Sequence, residues 1–169
     1  SGLAIILLSD AFSRLDPDIV LVLGDRFETH ASATTAMLMN IPIAHIHGGE
    51  ITEGAVDEQI RHSITKMSSL HFTSTDEYRN RVVQMGESSD TVHYVGAPGI
   101  DNIVNMNLLS RSELEDELKW KFNGTTALFT FHPETLSMTD TRKEIKTILK
   151  AMGNFNINVL FTYANSDHG

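Results

Sequence analysis

Asp25 and Arg26 follow an uninterrupted apolar run, Ile19-Val20-Leu21-Val22-Leu23, and a single glycine, Gly24. A continuous β-branched and leucine run reads as a strand buried on both faces, hence part of a parallel sheet. The pair then stands at a strand tip, where ligands of open α/β sheets lie. Arg26 is suited to pairing with a phosphate or clamping a neighbouring carboxylate. The plainer reading of Asp25 is a cap on the helix that follows.

A second tip is denser. His45-Ile46-His47-Gly48-Gly49-Glu50 closes the run from Pro42, with Thr52-Glu53-Gly54 and Asp57-Glu58 close behind. By strand alternation, His45 and His47 share a face, and if that face is buried at least one of them needs a hydrogen bond. Gly48-Gly49 is expected to let backbone approach a ligand, with Glu50 beside it. So many ionisable groups at one strand end favour a site over a solvated loop. Asp57 and Arg61 lie four apart on a helix and are expected to pair, as a surface ion pair or to orient Asp57 or Glu58. A third tip, Phe131-His132-Pro133, places His132 where proline stops a strand, facing a cleft between two pieces of the chain. Asn165 and Asp167 occupy a comparable tip near the end of the sequence and could serve a ligand.

The elements that position these tips alternate. Helices are expected over 3–15, 28–39, 57–67, 75–86, 100–106, 110–120 and 139–152, with Ser110 or Ser112 as a cap. Strands are expected over 19–23, 42–46, 70–73, 91–95, 127–131 and 157–162. Strand–helix alternation of this kind predicts an α/β fold of Rossmann-like, doubly wound parallel sheets. The run Gly96-Ala97-Pro98-Gly99 punctuates the chain. It divides an N-terminal domain, 1–97, from the start of a second Rossmann-like, nucleotide-binding domain, 98–169.

Composition narrows the function classes. With 41% hydrophobic and 21% charged residues, the chain has the profile of an ordinary globular protein. No apolar run approaches the roughly 20 residues that cross a bilayer, and residues 3–8 read as part of a buried amphipathic helix. The absence of cysteine excludes disulfides and thiolate metal sites. Acidic residues outnumber basic ones 22 to 13, a formal net charge of −9, which argues against a nucleic-acid partner. The sequence opens on Ser1-Gly2 and stops at Asp167-His168-Gly169 directly after an expected strand, so a piece of a longer protein is expected.

The blocks GDRFE (24–28), HGGE (47–50) and IRHSITK (60–66), followed by VGAPGIDNI (95–103) and FTFHPET (129–135), together resemble the hydrolysing UDP-N-acetylglucosamine 2-epimerases of sialic-acid metabolism. The resemblance spans almost the whole chain. It implies a two-domain glycosyltransferase-B-type fold with substrate between the domains. An opening strand and Gly-Thr-Arg loop would precede residue 1, and a nucleotide-gripping Gly-Asn-Ser-Ser loop would follow residue 169. A chain lacking both would turn over little substrate. By the match, Asp25 and Asp57 align with acidic catalytic positions, and His132 with a histidine near the diphosphate. His47 and Glu50 complete the expected catalytic set, and Arg26, Arg61, His132 and Asn165 the expected substrate contacts. Relatives often carry glutamate where this chain has His47. Either His47 takes over proton transfer, or Glu50 supplies the carboxylate, or the substrate differs.

The implied protein is a cytoplasmic homo-oligomer that needs no metal or cofactor and takes a UDP-sugar. Three other readings stand beside it. One is an epimerase of a UDP- or GDP-linked diacetamido sugar of the legionaminic-acid type. Another is a metal-dependent hydrolase built on His45 and His47, though the chain is short for the barrel of about 250 residues that would supply further ligands. The last is a non-catalytic sugar-binding module.

Overall fold

A computed structural model of the protein describes residues 1–132 and 140–163. The chain divides into two compact units, Ser1–Asn105 and Met106–Gly169.

The first unit runs α1 (Gly2–Leu15), β1 (Val20–Leu23), α2 (Phe27–Leu38), β2 (Ile43–Ile46), α3 (Asp57–Met67), β3 (Leu70–Thr73), α4 (Asp76–Gln84), β4 (Val92–Tyr94) and α5 (Pro98–Asn105). Its four strands are all parallel, in the order β1-β2-β3-β4. Two helix boundaries have a clear local cause. Asp16 takes a left-handed conformation at the end of α1 and donates its N–H to the Phe12 carbonyl, and Pro17 follows. Thr75 caps α4 by accepting from the Tyr78 N–H at 3.2 Å.

Successive parallel strands in monotonic order, joined by right-handed crossovers, place α2, α3 and α4 on one face of the sheet. The register confirms which residues that face carries: Val22, His45, His71 and Val92 lie side by side across the four strands, and all four are buried. Val22 joins Ala33 and Ala36 of α2, Ile43, and Ile64 of α3 as the core, with Phe12, Ile41, Ile60 and Met67 packed at its margin. The alanines let α2 lie close to the sheet. On the opposite face, Leu21 and Leu23 are 63% and 56% exposed. The apolar run of β1 is therefore buried on one face, not two, because β1 is the sheet edge and the crossover helices share the other side. Likewise α1 buries none of its residues fully, and Leu3, Ile6 and Leu7 remain exposed. Among the described residues no helix is long and apolar enough to cross a membrane.

The second unit contains α6 (Arg111–Glu117), β5 (Thr126–Phe129), α7 (Thr141–Met152) and β6 (Asn158–Phe161), with β5 and β6 parallel. Ser110 caps α6 in a reciprocal capping box with Glu113. Asp140 caps α7 through the Arg142 N–H at 3.0 Å. The units part after α5, so the helix that follows Gly96-Ala97 groups with the first unit.

Candidate active site at the carboxyl ends of β1, β2 and β3

Three strands of the first unit end at one side of the sheet, and their tips bring Asp25, His47, Glu50 and Ser74 to the rim.

Asp25 follows β1, after Gly24 has turned the chain at φ +78°. It does not cap α2: Arg26 occupies the cap position, and no side chain closes that end. Its Oδ2 instead takes an ion pair from Arg61 Nη2. Arg61 is 5% exposed, and its Nη1 donates to Thr52 Oγ1 at 2.9 Å. The pairing expected along α3, Asp57 with Arg61, is not formed. The guanidinium reaches across to the β1 tip instead, where it pairs with the partly buried Asp25 carboxylate. Asp57 still acts on Asp25 through space. Burial pushes the Asp25 carboxyl up, Arg61 pulls it down, and the Asp57 and Glu50 charges push it up again, leaving it above the usual carboxylate range. A direct ion pair alone would have lowered it; burial, helped by the two neighbouring carboxylates, outweighs the guanidinium.

The two histidines of β2 part company. His45 is fully buried, with Nε2 2.9 Å from the Gly24 carbonyl and Nδ1 3.2 Å from Thr65 Oγ1. A carbonyl only accepts, so Nε2 carries the proton. Burial lowers the His45 pKa to about 4, against the pull of the Gly24 carbonyl, so the ring is neutral near pH 7, and the Thr65 hydroxyl beside Nδ1 also lies 3.1 Å from the Arg61 carbonyl, to which it donates. His47 lies beyond the strand at φ +67°. That left-handed turn, a cost of about 1 kcal/mol for a residue with a Cβ, breaks the alternation that would have put both rings on one face. His47 Nδ1 donates instead to Glu50 Oε1 at 2.7 Å. Ser74 Oγ, at the tip of β3, donates to the same oxygen at 2.7 Å.

Gly48 and Gly49 are closely packed against neighbouring elements. A Cβ at Gly48 would lie 3.1 Å from Thr65 Oγ1 and 3.2 Å from His45 Nδ1. At Gly49, with φ +79°, it would run into the Tyr78 carbonyl oxygen and stand 2.8 Å from Val82 Cγ2. Arg81 of α4 donates to the Gly49 carbonyl. The loop is thus bolted to α3 and α4. Further along, Glu58 Oε2 accepts from the Thr52 N–H at 3.1 Å, which fixes the segment that carries Thr52 to Arg61.

The remaining expected residues scatter. Arg26 Nε pairs with Glu28 Oε2 at 3.3 Å, with its guanidinium over the Phe27 ring. His132 is exposed just after β5 in the second unit. Asn165, and the 133–135 part of the FTFHPET block, lie outside the described residues. With both His45 nitrogens engaged inside the fold, the His45/His47 pair does not form a metal couple. Among the described residues no group of three or more His, Asp and Glu could hold an ion. Sequence reasoning missed Ser74 and Arg81. A lone serine before a helix cap carries no pattern of its own, and an arginine in an exposed helix reads as solvated.

The arrangement is a partly buried carboxylate of raised pKa, a second carboxylate acting on it, and a carboxylate–imidazole pair, all rigidly backed. It is suited to moving protons near a polar ligand.

The chain is 46% identical to GDP/UDP-N,N'-diacetylbacillosamine 2-epimerase (hydrolyzing) of Campylobacter jejuni, over 98% of this chain and 44% of the relative. It is 44% identical to polysialic acid biosynthesis protein P7 of Escherichia coli, over 95% of this chain and 41% of that protein. The crystal structure of Methanocaldococcus jannaschii UDP-GlcNAc 2-epimerase in complex with UDP-GlcNAc and UDP superposes with a TM-score of 0.80 at 19% identity. It covers 98% of this chain and 47% of that one, and at this identity it speaks for the shared Rossmann-like, glycosyltransferase-B-type fold. The chain spans less than half the length of these relatives. The UDP-N-acetylglucosamine 2-epimerase family profile matches residues 1–169 in full, and the chain belongs to that family.

Proposed function

We propose that the protein carrying this chain is a hydrolysing 2-epimerase of a UDP-linked 2-acetamido sugar, converting UDP-N-acetylglucosamine to N-acetylmannosamine and UDP. The observation that carries this reading is the Asp25 corner: a carboxylate held above its ordinary range beside Asp57, Glu50 and a fixed arginine.

In the proposed reaction the C2–H bond breaks, its electron pair forms the C1=C2 bond of a 2-acetamidoglucal, and the C1–O bond breaks with its pair leaving on UDP. Water then adds at C1 and a proton returns to the opposite face of C2. Several acid–base groups must therefore surround one ring, and carboxylates also favour the oxocarbenium-like centre at C1. Asp25, Asp57 and the His47–Glu50 pair supply them. Arg61 holds Asp25 in place, and Arg26, His132 and Asn165 are proposed as substrate contacts. The protein is proposed to be a cytoplasmic homo-oligomer, without metal or cofactor.

A second substrate is favoured by one observation, the 46% identity to a hydrolysing N,N'-diacetylbacillosamine 2-epimerase. The same elimination and hydration apply there, on a UDP- or GDP-linked diacetamido sugar.

The test is to incubate the full-length protein with each nucleotide sugar and follow free nucleotide and free sugar together. Release of UDP and N-acetylmannosamine supports the first substrate. Turnover of the diacetamido sugar alone moves the reading to the second. Binding without nucleotide release from either overturns the enzymatic reading.

A further inference from the structure

We infer that Ser74 is a positioning residue of this site, fixing Glu50 so that His47 presents an unprotonated Nε2 to the substrate; this rests on the epimerase reading of the site.

The basis is the shared oxygen. Glu50 Oε1 accepts from Ser74 Oγ and from His47 Nδ1, each at 2.7 Å. A carboxylate only accepts, so the proton between Glu50 and His47 sits on Nδ1. The neutral ring then carries its lone pair on Nε2, which no described residue occupies. Without Ser74, Glu50 would lose the second anchor that sets the direction of Oε1, and its bond to His47 Nδ1 would no longer be held in one geometry.

The Ser74 donor is itself rigidly held. Thr73, on one side, is fully buried, and its hydroxyl lies 3.2 Å from the Thr75 carbonyl and 3.3 Å from the His93 carbonyl. Thr75, on the other side, caps α4. The same helix receives the histidine loop, since Gly49 packs on Tyr78 and Val82 and its carbonyl accepts from Arg81. One helix thus sets both donor and acceptor, which keeps the Ser74–Glu50–His47 chain in line. In the elimination half, Nε2 takes the C2 proton as the C1–O bond to UDP breaks, and Glu50 holds the imidazolium. The proton is released after hydration, so the side chain ends as it began.

Full-length wild type, Ser74→Ala, Ser74→Thr, Glu50→Gln and the Ser74→Ala/Glu50→Gln double variant test this. Ser74→Ala is expected to lower kcat about 10-fold with KM and Tm unchanged, and Ser74→Thr to restore most of the loss. In the Glu50→Gln background, Ser74→Ala is expected to add nothing, as members of one chain are not additive. An unchanged kcat in Ser74→Ala, or a full additional loss in the double variant, overturns the inference. Nitrogen-15 spectra of labelled histidine read the same point without turnover: one Nδ1-protonated tautomer at His47 in wild type, and a mixture in Ser74→Ala. If the wild type turns over no nucleotide sugar, the reaction reading fails. The tautomer spectrum still decides the role of Ser74, and a mixed tautomer in the wild type would sink it.

Discussion

His45 and His47 are two residues apart in sequence and belong to different layers of the same strand tip. The inner layer is His45 with the Gly24 carbonyl and Thr65, beside the equally buried His71. The outer layer is Asp25, Arg61, His47, Glu50 and Ser74. Inside, burial pushes both imidazoles below their ordinary range, and for His71 it does so against the pull of Glu87, 3.5 Å away. Outside, partial burial pushes the Asp25 carboxyl up, with Arg61 opposing it and the Asp57 and Glu50 charges adding to it. The inner layer holds buried, neutral rings, of which His45 ties the β1 tip to α3, whereas the outer layer gathers partly buried charged groups. The left-handed turn at His47 divides them.

Substitutions should separate the layers, and the largest effect belongs to the outer one. Asp25→Asn should lower UDP release by about 10³-fold in the full-length protein, and should also lower Tm, because the buried Arg61 loses its ion-pair partner. Retained turnover would remove Asp25 from the reacting groups and dissolve the contrast. Next comes the junction. Gly49→Ala forces a Cβ into the Tyr78 carbonyl at positive φ, and should cost about 3 kcal/mol of stability by denaturant titration. A stable Gly49→Ala protein would mean that the loop is not anchored on α4.

The inner layer should show itself in acid. His45 has its pKa depressed in the folded state, so the unfolded chain binds its proton first as pH falls. Its contribution is complete above about pH 6.5 and is lost as pH drops to about 4. The loss should reach roughly 2–3 kcal/mol, with His71 acting in the same direction. Stability measured from pH 7.5 to 4 in wild type and His45→Gln checks this, and the variant should have the flatter profile. The smallest effect is expected at Arg26, which pairs on the surface with Glu28. Arg26→Ala should leave Tm unaltered, and a rise in KM alone would mark it as a substrate contact.

How far these layers were legible depends on the range of the interaction. The alternation of apolar runs with helical spacing marks out, within a few residues, every α-helix and strand among the described residues, because those periods are local properties of the chain. Strand tips followed from the same pattern, and with them the importance of Asp25, His47 and Glu50. The motif blocks carried the family. The helix face shared by Asp57 and Arg61 was also legible, but the pairing inferred from it was not the one adopted.

What the sequence by itself determined is therefore the order of elements, the parallel α/β class, and the tips at which ionisable groups gather. The tertiary structure alone decided which groups meet. Arg61 pairs with Asp25, from another element, and not with Asp57 one turn away on its own helix. His45 turns inward and His47 outward because one backbone angle changes sign. Gly48 and Gly49 are required by the neighbouring helices, and Ser74 gains its role only when β3 is laid beside β2. Partner choice of this kind is set by burial and distance between segments far apart in the chain, which no local period encodes.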